Sequence, residues 1–149
     1  MDIDDRRSIA AAAYNRCWEL LENEERSVED DDELLTSAFT SRYHWAVVGG
    51  REQVIISDWM VSRAAQALGE SDLALRFARR ANDAAQEPAT SDWLVASTAE
   101  GMARAFAVAG DEAQCQAWCE KAEQLIERIA DDEDREIITE QLATVPRGS

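Results

Sequence analysis

Apolar residues recur along this chain at steps of three and four, the spacing that gathers side chains on one face of an α-helix. Tyr14, Cys17, Trp18 and Leu21 follow it, and four alanines at 10–13 add helix propensity, so a first helix is predicted over about residues 4–24. The acidic stretch 22–33 has no periodicity and reads as a loop, with Asp30 as the next helix cap and Glu33 completing a capping box. Leu35, Phe39, Tyr43 and Val47 then form the stripe of a second helix, widened by Leu34, Ala38 and Trp45. Gly49-Gly50 ends it, since glycine tolerates the left-handed conformation that helix C-termini adopt.

A third helix is predicted over about residues 51–68. Val54, Val61, Ala65 and Leu68 make its buried stripe, with Ile55 and Trp59 beside it. Gly69 stops it, and Ser71 or Asp72 caps a fourth helix carrying Leu73, Phe77, Ala81 and Ala84. Pro88 closes that pair. A fifth helix opens at Thr90, Ser91 or Asp92, places Val95, Ala99, Met102, Ala103 and Phe106 on one face, and stops at Gly110. Asp111 and Gln114 supply a capping box for a sixth helix reaching about residue 129, with Cys115, Trp118, Cys119, Ala122, Leu125 and Ile129 on one side. After the acidic turn 131–134, Ile137, Ile138 and Leu142 would dock a short seventh helix, about 134–144, as a lid.

No segment alternates at period two, so the fold class is all-α. The expected organisation is one domain over residues 1–146: helix pairs at about 4–48, 51–87 and 91–129, then a C-terminal capping helix. Residues 147–149 read as a tag remnant or disordered tail.

The tripeptide Ser-Asp-Trp recurs at Ser57 and Ser91, a spacing of 34 residues. Helix pairs at that period are a mark of stacked helical hairpins. The first pair resembles a tetratricopeptide repeat. Gly69, Ala74 and Ala81 match the family's turn glycine and small residues, as do Gly110, Cys115 and Ala122 in the second pair. The match is degenerate: Phe77 and Trp118 fall one place early, Ser62 and Ala103 replace a glycine, and Pro88 falls two residues late. The second hairpin also carries seven extra residues before its glycine. From Leu34 to Pro146, through Ser41-Arg42-Tyr43-His44-Trp45 and residues 129–136, the chain also resembles a bacterial tetratricopeptide-like family without assigned activity. The resemblance implies stacked antiparallel hairpins in a right-handed α-α superhelix and supplies no chemistry.

Composition narrows the partners. The net charge is −16, with a single lysine, Lys121, among the basic residues. Such a charge repels nucleic-acid phosphates and anionic lipid, so neither nucleic acid nor membrane is expected, and a macromolecular partner is expected to be basic. Cys17, Cys115 and Cys119 do not make a disulfide framework, and the N-terminal stretch lacks a signal peptide's apolar core, so a cytoplasmic protein is expected.

Candidate chemistry is sparse. Cys115 and Cys119 stand four apart on one helix face, but packing explains them better than a metal, which needs more ligands at recognised spacings. His44 is the sole histidine, and no motif places an orienting carboxylate or a nucleophile beside it. The acidic runs lack the glycine and ligand spacing of a calcium loop, and Gly49-Gly50 lacks a phosphate loop's lysine. No cofactor or metal is expected.

The leading expectation is therefore a noncatalytic module that binds a peptide or protein on the concave face formed by the first helices of the pairs. Trp59 and Trp93, read as equivalent positions near the starts of those helices, would contact the partner together with Arg42, His44 and Arg63. Core packing is the competing reading for both tryptophans. The alternative function is a small-molecule or signalling-peptide sensor with a pocket between helices two, three and five, and an enzyme centred on His44 ranks third. Three pairs make a short array, so a homodimer covering an exposed apolar face is also expected.

Overall fold

The computed structural model describes residues 1–147, which form seven α-helices and no strand. They are α1 (Ile3–Glu22), α2 (Val28–Val48), α3 (Arg51–Ala67), α4 (Ser71–Ala85), α5 (Asp92–Ala109), α6 (Glu112–Ile126) and α7 (Asp132–Ala143). Each packs on the next. In addition α1 meets α3, α3 meets α5 and α5 meets α7, whereas α2 reaches α4 through side chains, Phe39 lying edge to face with Phe77 at 5.6 Å. The odd-numbered helices thus form a continuous layer and the even-numbered ones cover its other side.

That arrangement gives α3 and α5 four neighbours each. The single stripe expected for α3 is accordingly too narrow. Ser57 to Ser62 is buried without a break, and so is Ala96 to Phe106 of α5. Small side chains make this possible. Ala64, Ala65, Ala74, Ala78, Ala81, Ala96, Ala99 and Ala103 are all essentially inaccessible and let helix axes approach closely. Buried hydroxyls bond across helices: Ser62 Oγ of α3 donates to Ala74 O of α4 at 2.8 Å, and Ser41 Oγ of α2 donates to Ala10 O of α1 at 2.9 Å.

The two glycine turns share one chemistry. Gly69 (φ 72°) and Gly110 (φ 79°) are left-handed. Gly69 N donates to Gln66 O and Glu70 N to Ala65 O, while Gly110 N donates to Ala107 O and Asp111 N to Phe106 O. This double bond pattern satisfies the last carbonyls of α3 and α5 and folds the following helix back. Gly49 and Gly50, by contrast, are extended (φ −85° and −75°) and not left-handed as expected. Gly49 is needed for space instead, because a Cβ there would lie 2.7 Å from Trp45 O.

Several caps differ from expectation. Ser27, not Asp30, caps α2: its side chain accepts from Asp30 N while the Asp30 carboxylate accepts from Ser27 N. The acidic run therefore lies inside the first turn of α2, where the helix dipole favours negative charge, rather than in a loop. The same holds for α7, which begins at Asp132 with Asp131 as its cap. Neither Ser71 nor Asp72 caps α4, whose cap position is Glu70 without a side-chain bond. Ser91 precedes α5, but its side chain caps nothing; Ser91 N and Oγ instead donate to the Glu52 carboxylate from α3. Helix α6 ends at Ile126, three residues before the expected Ile129.

The stripe of α2 is also corrected. Its buried line is Leu34, Ala38 and Ser41. Phe39, Tyr43 and Val47 are 37%, 62% and 56% exposed, because α1 and α3 pack on the Leu34 line of this helix; of the three, Phe39 still meets Phe77 of α4 edge to face. In α7, Ile138 and Leu142 dock as expected, whereas Ile137 is exposed. Arg147 reaches Glu123 of α6 at 2.7 Å; residues 148–149 lie outside the described residues.

Candidate functional site

The layer of odd-numbered helices lines a groove of about 260 Å³. Tyr14 and Trp18 enter it from α1, Ile56 and Trp59 from α3, Trp93, Leu94 and Ser97 from α5, and Asp134, Ile137, Ile138 and Gln141 from α7. Helical spacing explains the assembly. Residues 14 and 18, 56 and 59, 93 and 97, and 134, 138 and 141 are each one turn apart, so each helix turns one strip toward the same space. The aromatic rings are not stacked: Tyr14 and Trp18 lie edge to face at 6.5 Å and 79°, and Trp18 and Trp59 are 5.9 Å apart and tilted by 40°.

Trp59 and Trp93 do come together here, although not from equivalent positions. Trp59 sits mid-helix in α3 and Trp93 in the first turn of α5. Trp59 is only 7% exposed and belongs to the core as much as to the groove, whereas Trp93 is half-buried. Gly101 of α5 makes room for Trp59, since a Cβ there would lie 3.1 Å from its Cδ1.

The remaining expected residues lie elsewhere. Arg42 is on α2, outside the groove, where Nε donates to the buried Asp58 carboxylate at 2.6 Å and the guanidinium covers the Phe77 ring at 5.1 Å. His44 is also on α2. Its Nδ1 lies 3.3 Å from Arg6 Nη1, and its ring meets Tyr43 edge-on. No α2 residue lines the aromatic groove, so the expected pocket between helices two, three and five is replaced by one between α1, α3, α5 and α7. The reason is that α2 packs behind α1 and α3, on the covered side of the layer.

Arg63, one turn beyond Trp59, lines a neighbouring hollow with Gln66, Arg104 and Thr144. Burial first, and then Arg104 nearby, push its pKa down to about 10, partly opposed by Glu100; it remains charged at neutral pH. Arg104 is well held. Its Nε and Nη2 donate to Glu100 Oε1 at 2.9 and 2.7 Å, and Nη2 also donates to Gln141 O and Thr144 Oγ1 of the α7 end. Three buried acceptors along these helices have no hydrogen-bond partner: Gln66 Oε1, Glu100 Oε2 and Gln141 Oε1.

Tyr14, Trp18 and Gln141 line the groove without any sequence signal that marks them as site residues. The first two carry a helical apolar pattern that a core and a groove wall share. A buried Glu100–Arg104 pair four residues apart was visible as a spacing, but its burial was not.

Among the described residues no helix is long and apolar enough to cross a membrane, and no three His, Cys, Asp or Glu side chains gather where a metal could sit. Cys17, Cys115 and Cys119 are buried free thiols. Comparison with protein-family models, with curated proteins and with solved structures finds no match for this chain.

Proposed function

We propose that this chain is a tetratricopeptide-like interaction module that binds an extended peptide or protein segment along its odd-numbered helices. The observation that carries this reading is the groove itself. Four helices from separate parts of the chain each contribute to it, and three of its walls are tryptophan or tyrosine from α1, α3 and α5. Aromatic side chains in a partly open groove supply contact area at low entropic cost, which is why they dominate peptide interfaces. A volume of about 260 Å³ is at or below the small end of pockets for whole organic ligands, and it suits one or two inserted side chains better. The alternation of packed hairpins, with glycine turns at Gly69 and Gly110, supports the repeat-like architecture.

Peptide selection from a displayed random library tests the reading. Selected peptides should lose binding to Trp93→Ala and to Ile137→Glu; Ile137 is exposed, so thermal unfolding of that variant should change little, whereas Trp93 packs on both cores and its variant should melt lower while staying folded. Peptides that bind both variants as tightly as the parent would remove the groove from consideration.

A second contact, with another copy of the chain, is supported by the line Leu35, Phe39, Tyr43 and Val47 on α2, three of which are exposed. It faces away from the groove and would leave it free.

A further inference from the structure

We infer that the aromatic groove is a cation pocket, taking the guanidinium or ammonium group of a basic side chain on the bound segment. This rests on the concave-face reading above and adds the chemistry of the anchor. Tyr14, Trp18, Trp59 and Trp93 line one space. The first three meet edge-to-face or tilted rather than stacked, so the walls of the groove differ in orientation. Aromatic walls around one space attract a cation through the negative faces of their rings, tryptophan most strongly.

The polar groups at the groove favour the same ligand. Asp134 contributes a carboxylate and Ser97 a hydroxyl. Gln141 also lines the groove, and its buried Oε1 has no hydrogen-bond partner. A buried acceptor left unpaired is unfavourable, and an incoming N–H donor relieves it. Trp93, Ser97, Glu100 and Arg104 follow at steps of four, three and four along α5 and share one side of it. Glu100, its side chain 1% exposed, gives one oxygen to Arg104 and keeps the other unpaired. An acidic ligand would meet Asp134 as a like charge, and an apolar one would leave Gln141 Oε1 unpaired. The net charge of −16 attracts basic partners at longer range.

Two cations lie nearby. Arg104 is neutralised by Glu100, and Arg63 lines the adjoining hollow, so the ligand's charge is expected at the Asp134 end.

The test uses a blocked pentapeptide with arginine at its centre, its citrulline counterpart of the same shape but no charge, and tetramethylammonium chloride. Binding is read from the indole N–H resonances of the full chain at about 0.15 M salt, which screens diffuse attraction. The arginine peptide should shift the Trp59 and Trp93 signals saturably, and the citrulline peptide should bind roughly tenfold more weakly. Tetramethylammonium should compete. Asp134→Asn and Gln141→Leu should each weaken the arginine peptide several-fold, with at most a small fall in melting temperature for Asp134→Asn, which gives up one carboxylate in the first turn of α7. Equal binding of arginine and citrulline peptides, or arginine binding indifferent to Asp134→Asn, would overturn the cation pocket. Selected peptides that occupy the groove but carry no basic residue would overturn it while leaving the groove reading intact. If no peptide of either kind moves the groove resonances, both readings fall.

Discussion

Trp59 rests on the bare backbone of Gly101: a methyl group at residue 101 would lie 3.1 Å from Cδ1 and 3.2 Å from Nε1 of the indole. The contact joins α3 to α5 beneath the groove, so the floor of the site depends on a missing side chain. Alanine has a helix propensity about 1 kcal/mol better than glycine, but overpacking a core costs about 1–3 kcal/mol. Gly101→Ala is therefore expected to lower stability by about 1 kcal/mol and to shift tryptophan emission, as read in urea unfolding followed by fluorescence. A more stable variant with unchanged emission would mean that the indole moves aside freely.

Arg104 ties α5 to the end of α7 and neutralises a buried carboxylate. Arg104→Met strands the Glu100 charge, and losing one partner of a buried pair costs about 3–5 kcal/mol. The double variant Glu100→Gln/Arg104→Met should recover much of that loss. A double-mutant cycle in urea measures it, and additive single effects would deny the coupling.

Burial pushes the Cys17 thiol up to about 12 from an ordinary value of 9.0. The folded chain therefore keeps a proton that the unfolded chain releases near pH 9. Stability from the protonated thiol is complete below that point and declines as pH rises from about 9 toward 12. Tyr14, also raised by burial, acts in the same direction above its ordinary value of 10.0. Unfolding free energy should fall between pH 9 and 11, less steeply in Cys17→Ala, and a thiol reagent should leave Cys17 unmodified in the native protein at pH 8. Rapid native-state labelling of Cys17 would contradict its burial.

Ala89, after Pro88 in the α4–α5 connection, has φ 72°. A side chain in the left-handed region costs about 1–2 kcal/mol, whereas glycine there gives up roughly 0.5–1 kcal/mol of unfolded-state entropy. Ala89→Gly is expected to be neutral or to stabilise by up to about 1 kcal/mol, measurable as a rise in the urea midpoint. A clear loss would show that the connection relaxes out of that conformation.

If α2 mediates self-association, sedimentation should show a concentration-dependent dimer that the double variant Phe39→Ser/Tyr43→Ser abolishes. Tyr43 is exposed and Phe39 partly so, with one ring contact to Phe77 of α4, so the variant should retain its helical content and its peptide binding at some loss of stability. A parent chain that stays monomeric at every concentration would end the dimer proposal.

The sequence by itself determined the seven helices, their order and the two glycine turns. Those features are local: a left-handed C-terminus at Gly69 or Gly110 needs only a residue without Cβ, and helical periodicity needs only neighbours three and four positions away. For Trp59 and Trp93 it left two readings open, core packing and a groove wall, because helical spacing serves both. Tertiary structure alone decided which apolar line of α2 is covered. Leu34-Ala38-Ser41 and Leu35-Phe39-Tyr43 are offset by one or two residues, and both fit helical spacing until α1 brings Ala10 against Ser41. It likewise decided that α1 and α7 wall the groove while Arg42 and His44 stand behind it. Such choices depend on which helices close around α3 and α5, a long-range outcome that spacing along one helix does not encode.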